Sequence, residues 1–554
     1  MNMNRLRRSS SRIGRRRIEL DIETMTGQNR LSRIKSVGLK CIIIMAVAVF
    51  TAAVFLLLWK NGVFLPRWIE WKETVLECSD FDIMISLENH HLEFFHKGEV
   101  VWSTPQEYQV QDFQWGDIDS DGEQELLLLC WRIGMYGEHR PFWIEKNDDR
   151  WSQHIFIYDW DGEEISPVWM ASDLGMEVQD WNYDEHGYLI LLDRQDQLSS
   201  WAWLSWGLER VDTEVDFAAV GDVLIHAPIY YRGLEQGSFD FIYENVSDVI
   251  QEADVAVMNQ ETIYTAEPSC YSDFPRFGTP LSAGEAVVNA GFDVVTAATN
   301  HALDQGMEGI DTTFDFYEKY DILPLGIQPS ENASGLVPFQ IIRKRRISFA
   351  LLNYTYGLNG QPLPDGCPYA VHKLTDEAQI RSDIRAAQEA ADIVMVFAHW
   401  GTEYQMEPDE EQNRWTQVFL DEGVDVVIGT HPHVLQPYEW ITAEDGHRML
   451  VYYSLGNFVS AQDMPERILG GMAQFRAAIT LNGCEIVEAD LLPIVTHQAD
   501  GLYTAYLLED YTEELAGQHR LDITLDELRA IAEQGMSYSR EEKNEGTFDQ
   551  TTYQ

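Results

Sequence analysis

The 554 residues exceed what one hydrophobic core usually organises, so two or more domains are expected. With 39 Lys and Arg against 91 Asp and Glu, the net charge is −52, which excludes a basic nucleic-acid-binding surface. A hydrophobic content of 45% with 17 tryptophans excludes a chain that is disordered throughout.

The charge is unevenly placed. Residues 1–40 form a basic leader with 11 Lys and Arg against three acidic residues, and the uncharged run CIIIMAVAVFTAAVFLLLW follows at 41–59. That run matches the roughly 20 apolar residues that cross a bilayer as a helix. A basic flank stays in the cytoplasm, so the expectation is a single-pass cell-membrane anchor with a cytoplasmic N-terminus and an extracellular bulk. The competing reading, a cleaved secretion signal, is disfavoured because the run exceeds the usual signal core and no small-residue cleavage site follows it. Beyond residue 60 there remain 27 basic and 88 acidic residues, a net charge of −61. Such a surface draws cations and repels nucleic acid and anionic lipid. Six cysteines at 41, 78, 130, 270, 367 and 484 show no paired spacing, which indicates neither a disulfide framework nor a thiolate metal site; one isolated bridge stays open.

A short stalk at 60–75 precedes a β-rich domain at 76–210, where stretches such as HIFIYDWDG alternate in the manner of short antiparallel strands. Within it, GDIDSDGEQELLLL sets Asp117, Asp119 and Asp121 at alternate positions before Gly122, with Glu125 following. Alternate carboxylates around a glycine turn can wrap a hard cation. The stretch resembles the calcium loop of FG-GAP (integrin-type) β-propeller repeats, which implies bound Ca²⁺. The alternative is an acidic hairpin turn that binds nothing.

From residue 213 to about 500 the pattern changes to apolar runs alternating with amphipathic stretches, such as TDEAQIRSDIRAAQEAAD (375–392) and DEEQNRWTQVFLDEG (409–423). This is the pattern of βα units around a buried sheet. Residues 501–554 are expected to hold a C-terminal helix and, from about 537, a disordered tail.

Polar residues suited to metal binding follow the apolar runs of this region. VDFAAV leads to Asp222, with His226 four residues beyond; DVAVM leads to Asn259 and Glu261; FDVVTAAT leads to Asn300 and His301; ADIVMVFA leads to His399; VDVVIGT leads to His431 and His433. In an open α/β sheet the carboxyl ends of the strands face one crevice. Nitrogen and oxygen donors without thiolate suit Mn²⁺, Fe or Zn²⁺. Their number exceeds one tetrahedral site and fits two ions about 3.5–4 Å apart, bridged by a carboxylate.

The segments GDVLIH, NQET, TNHALDQG, HWGTEY, GTHPHVLQ and YSLGNFV, in this order over about 215–465, resemble the CapA family of capsule or poly-γ-glutamate synthesis proteins. The domain of that family is similar to calcineurin-like metallophosphoesterases. The resemblance implies an α/β fold, a metallophosphoesterase-like α/β sandwich. It also implies that Asp222 and His433 hold one divalent ion, that Asn300, His399 and His431 hold the other, that Glu261 bridges them, and that His301 contacts substrate and protonates the leaving group. Two departures stand out: His226 lies four residues after Asp222 instead of two, leaving its ligand role open, and the bridging residue is glutamate instead of aspartate. The implied partners are the membrane, an anionic polymer or other cell-envelope substrate, and membrane polymer-synthase subunits. Two function classes remain open: a metal-dependent hydrolase acting on the cell envelope, and a non-catalytic polymer-binding subunit of an export complex.

Overall fold

The computed structural model describes residues 27–78, 82–136, 148–171, 175–184, 186–204 and 207–537. The leader up to residue 26 and the tail from 538 lie outside these residues. The apolar run is helical, but the helix spans Gly27–Lys60 and so begins well before the run itself. The intervening stretch contains no Pro, and the single Gly38 inside it does not end the helix. Leu39–Lys60 is long and apolar enough to cross a membrane, at a mean hydropathy of 3.0.

The chain divides into two compact units, residues 1–116 with 122–179, and residues 117–121 with 180–554. In the first, two antiparallel four-stranded meanders run through Thr74–Cys78, Ile83–Glu88, His91–His96 and Glu99–Ser103, and through Gln109–Gly116, Glu125–Ile133, Trp151–Trp160 and Ile165–Met170. Alternate residues such as Ile83, Ile85 and Leu87 enter its core beside Leu126, Leu128 and Phe156. This is the period of two expected for strands with one buried face.

The second unit contains two larger sheets. One runs in the order Leu323–Leu325, Val294–Thr296, Val255–Gln260, Val215–Val223, Leu469–Thr480, Gly483–Ala499 and Leu502–Leu507; the first four strands are parallel and the rest antiparallel. The other runs Gln340–Lys344, Ile347–Thr355, Ile393–His399, Val426–Thr430, Arg448–Tyr452 and Tyr438–Thr442, parallel in its middle four.

Strict alternation decides how the sheets stack. Phe217 and Ala219 point into a shared core with Phe349, Leu351, Met395, Phe397 and Tyr452 of the other sheet, and the Phe217 ring lies 4.9 Å from that of Phe349. Their neighbours Ala218 and Val220 face the opposite way, into a core closed by the helices Ala227–Gln236 and Leu281–Ala290. Ala350 and Leu352 likewise meet Glu377–Gln388 and Glu410–Asp421. The result is a four-layer helix, sheet, sheet, helix sandwich, an α/β fold. Strands covered on both faces read as continuous apolar runs, as they do here. Each fully buried Phe, Leu or Ile contributes about 1.5–3 kcal/mol of hydrophobic stabilisation.

His372 belongs to this packing. It is buried, its Nε2 lies 2.8 Å from Gln328 Oε1, and burial lowers its pKa from 6.5 to about 4. In the unfolded chain the ring takes a proton near pH 6.5; in the folded chain it does so only near 4. Its contribution is therefore complete above pH 6.5 and lost as pH falls from 6.5 towards 4, by about 3 kcal/mol. The fall in melting temperature between pH 7 and pH 4.5 should be visibly smaller in His372→Gln than in the wild type, and equal falls would refute this assignment.

Candidate metal centre

The carboxyl ends of the parallel strands from both large sheets meet at one rim. Pairing registers align Asp222 with Asn259, Asn259 with Thr296, and His399 with both Thr355 and Thr430. Asp222 reaches the rim because the ladder shifts register between Val220 and Asp222, where the chain passes very close to a neighbour. A Cβ at Gly221 would lie 2.0 Å from the Gly456 carbonyl oxygen, so only glycine fits. The Asp222 amide donates to that same carbonyl at 2.8 Å.

Asp222 is fully buried and held on several sides. Its Oδ1 accepts from Asn259 Nδ2 at 2.8 Å, its carboxylate accepts the His431 amide at 3.2 Å, and Oδ2 lies 3.1 Å from His433 Nδ1. Glu261, also fully buried, accepts no hydrogen bond on either oxygen among the described residues. Its Oε1 lies 3.6 Å from His433 Nε2 and 3.9 Å from His399 Nε2. Ligand atoms converge in two groups, Asp222, Glu261 and His433 on one side, and Glu261, His399 and His431 on the other. Glu261 belongs to both.

The second group gains an amide. Asn300 Oδ1 lies 3.0 Å from His399 Nε2, while His399 Nδ1 is held by Thr430 Oγ1 at 3.0 Å. His431 Nδ1 is buried with no hydrogen-bond partner among the described residues. Imidazoles two positions apart on an extended strand would point the same way, but His431 and His433 have φ of 98° and 58° on either side of Pro432, in the left-handed region. This backbone takes the His433 ring to Asp222 and the His431 ring to His399, while both rings meet Glu403.

Electrostatics fit cations at this rim. Burial, reinforced by Asp222, pushes the Glu261 carboxyl well above its ordinary range. Burial and the neighbouring imidazoles hold His399 and His431 well below theirs, keeping them neutral and able to donate a lone pair. At His433 burial disfavours the imidazolium, but the Glu261 and Asp222 carboxylates outweigh it and raise the pKa to about 9. Buried carboxylate oxygens without partners are costly unless a charge meets them. Oxygen and nitrogen donors of this kind suit divalent cations.

His301 sits beside the rim with Nδ1 2.6 Å from Asp304 Oδ2 and its ring edge-on to Phe277 at 4.8 Å. His226 joins neither group: its Nδ1 lies 3.3 Å from the Ala461 amide and from the Leu224 carbonyl, and the residue stands immediately before the helix Ala227–Gln236 with its side chain making no capping bond. The residues Asp117, Asp119 and Asp121 share one turn, where the Asp121 amide donates to Asp117 Oδ1 at 3.0 Å and to Asp119 Oδ1 at 3.3 Å. Glu125 is buried as the first residue of the following strand.

Sequence reasoning gave no role to Glu403, Asn457, Tyr356 or Arg467. Glu403 forms a group with His431 and His433, Asn457 Oδ1 lies 3.1 Å from His433 Nδ1, the Tyr356 ring lies 4.5 Å from that of His431, and the Arg467 guanidinium stacks on Tyr404 at 3.5 Å. The signal was present for two of them, since Glu403 lies in HWGTEY and Asn457 in YSLGNFV.

Residues 216–462 match the family model described as bacterial capsule synthesis protein PGA_cap. Over 300 residues, 52% of this chain and 73% of the relative, the sequence is 27% identical to the PGA biosynthesis protein CapA of Bacillus subtilis (strain 168). This segment is similar to the CapA family. The capsule biosynthesis protein CapA of Bacillus anthracis is 25% identical over 292 residues, covering 51% of this chain and 68% of the relative. Among solved structures, the calcineurin-like phosphoesterase YfkN of Bacillus subtilis aligns with a TM-score of 0.30 at 14% identity, covering 58% of this chain and 96% of that one. The family match spans five of the strand ends that build the rim, from Asp222 to His433.

Proposed function

We propose that this chain is a membrane-anchored, outward-facing, metal-dependent hydrolase of the phosphoesterase type, acting on an anionic cell-envelope polymer during capsule or poly-γ-glutamate formation. The observation that carries the reading is Glu261, whose two buried oxygens lack hydrogen-bond partners among the described residues and lie between two groups of further candidate ligands. Asp222 and His433 would hold one divalent cation and Asn300, His399 and His431 the other, with Glu261 shared. Two such cations would supply an activated water nucleophile at neutral pH and neutralise charge on the substrate.

The chain's own residues complete the chemistry. Asp304 fixes the His301 ring through Nδ1, which leaves Nε2 to deliver a proton to the leaving group. Fixing one ring nitrogen sets the proton position on the other. Phe277 holds the same ring by its edge and keeps water from that side. The domain's net negative charge repels a polyanion, so the substrate has to engage through the cations instead of through a basic surface. Anchoring is supported by the apolar helix Leu39–Lys60 behind a basic leader.

The test uses the full-length protein in detergent, loaded with Mn²⁺, which the rim's oxygen and nitrogen donors suit, and desalted. Two ions per chain, with hydrolysis of a phosphodiester or of polyglutamate that stops on chelation, is the expected result. Stoichiometry near zero would sink the binuclear reading, and two ions without hydrolysis of either substrate would favour the non-catalytic polymer-binding subunit.

A further inference from the structure

A second group of metal-binding side chains lies away from the rim. His186, on the loop between Val178–Tyr183 and Leu189–Asp193, meets Asp392, the residue before Ile393–His399, and Cys484, at the start of Gly483–Ala499. These positions are far apart in sequence, and the fold brings them to one place within the second unit. Asp392 Oδ1 lies 3.4 Å and Cys484 Sγ 3.5 Å from one and the same atom, His186 Nε2.

One nitrogen faces both partners. A single imidazole N–H could serve a carboxylate and a thiolate together only as a three-centre bond, in which both contacts are long and weak. The 3.4 Å approach of the carboxylate also exceeds the usual N–H···O range of 2.7–3.2 Å. A Cys-His-Asp nucleophilic triad is excluded as well, because there the thiol and the carboxylate use opposite ring nitrogens. Co-ligands of one ion account for both distances. With Zn–S of about 2.3 Å, Zn–N of about 2.05 Å and Zn–O of about 2.1 Å, tetrahedral ligands lie about 3.4 Å (N to O) and about 3.6 Å (S to N) apart.

The surroundings are built for a ligand role. Asp392 Oδ2 accepts from the Ser348 amide at 2.7 Å and its hydroxyl at 2.5 Å, which turns Oδ1 towards His186. The His186 loop is pinned by Arg346, whose Nη1 donates to the His186 carbonyl at 2.7 Å. Outer partners that orient ligands in this way are a regular feature of metal sites. The His186 and Asp392 side chains are 17% and 16% exposed, at the wall of a recess of about 840 Å³ that also touches Asn182, Gln388 and Asn482. A fourth, water-accessible position is therefore open.

We propose that His186, Asp392 and Cys484 form a separate zinc site that ties the small antiparallel sheet of residues 178–211 to the sandwich. A thiolate, an imidazole and a carboxylate together suit Zn²⁺ better than the hard cations that take oxygen alone. The unpaired spacing of the cysteines gave no hint of it, because the partners of Cys484 are a histidine and an aspartate from distant segments.

The test loads the full-length, reduced protein with Co²⁺. The rim centre contains no cysteine, so a near-ultraviolet thiolate-to-cobalt charge-transfer band reports this site alone. The band should appear in the wild type, persist in His431→Ala and vanish in Cys484→Ser. No band in the wild type, or one that survives Cys484→Ser, would overturn the proposal. As a second readout on the unmutated protein, Zn²⁺ should slow alkylation of Cys484 at least about tenfold, since a bound thiolate is withdrawn from reaction; an unchanged rate counts against the site.

Discussion

Glu261→Gln should release both cations of the rim at once, whereas His433→Ala and His399→Ala should each release about one per chain. Glutamine keeps the size of the side chain and removes the charge shared by the two groups, so neither group retains its carboxylate bridge. Asp222 remains in one group, but it is already engaged by Asn259, the His431 amide and His433. The other group would be left with Asn300 and two imidazoles held well below their ordinary pKa, and with no carboxylate nearer than the exposed Glu403 beside His431. Hydrolysis, measured on the phosphodiester, should fall by roughly a thousandfold or more, because removing one electrostatic partner of a reaction centre commonly costs two to three orders of magnitude and this change removes the partner of two ions. His226→Ala is the comparison and should be milder, since that ring is engaged with Ala461 and Leu224 outside both groups. Full metal content in Glu261→Gln would show that the carboxylate is not shared.

Gly221→Ala should be among the most destabilising substitutions in the second unit. The added Cβ would sit 2.0 Å from Gly456 O, 2.9 Å from Leu455 O and 3.0 Å from Gly456 C, all backbone atoms that cannot rotate away. Gly456 is itself in the left-handed region at φ 60°, and the strand it leads into is paired to Val215–Val223, so neither side yields cheaply. Overpacking of this kind costs about 3 kcal/mol or more. In a unit of this size that lowers the melting temperature by about 4 °C. The same shift would move Asp222, whose amide bonds to Gly456 O, so metal content should fall together with stability. Gly335→Ala is the control, having open space around its Cβ and no left-handed φ, and a Gly221→Ala no less stable than it would refute the close approach.

Much of the sandwich was legible in the sequence, because strands buried on both faces must be apolar and amphipathic helices must be periodic. The stretch 409–423 became the helix Glu410–Asp421 with an Asp409 capping box and Gly423 behind it, and 375–392 became Glu377–Gln388 capped by Asp376. The runs VDFAAV and ADIVMVFA became central strands. Less legible were relations between distant segments. That Phe217 faces Phe349, that Leu469–Thr480 inserts beside Val215–Val223, and that His186 meets Cys484 depend on strand order, which a local pattern does not encode. The rim was half visible: apolar runs mark where strands end, hence Asp222, Glu261, Asn300, His399, His431 and His433, while Glu403 reaches it through the path of its loop and Asn457 from the short strand Asn457–Val459 paired beside Asp222.

The left-handed backbone at His431 and His433 has a consequence for how the gene can drift. Each non-glycine residue held in that region costs of order 1–3 kcal/mol, and folding alone never recovers it. Selection for a durable fold by itself would turn both positions towards glycine or asparagine, which occupy the region at less cost. Histidine therefore persists there only while lineages keep using the rim, and a descendant copy released from its task should lose this pair early, long before the apolar strands beneath it begin to erode.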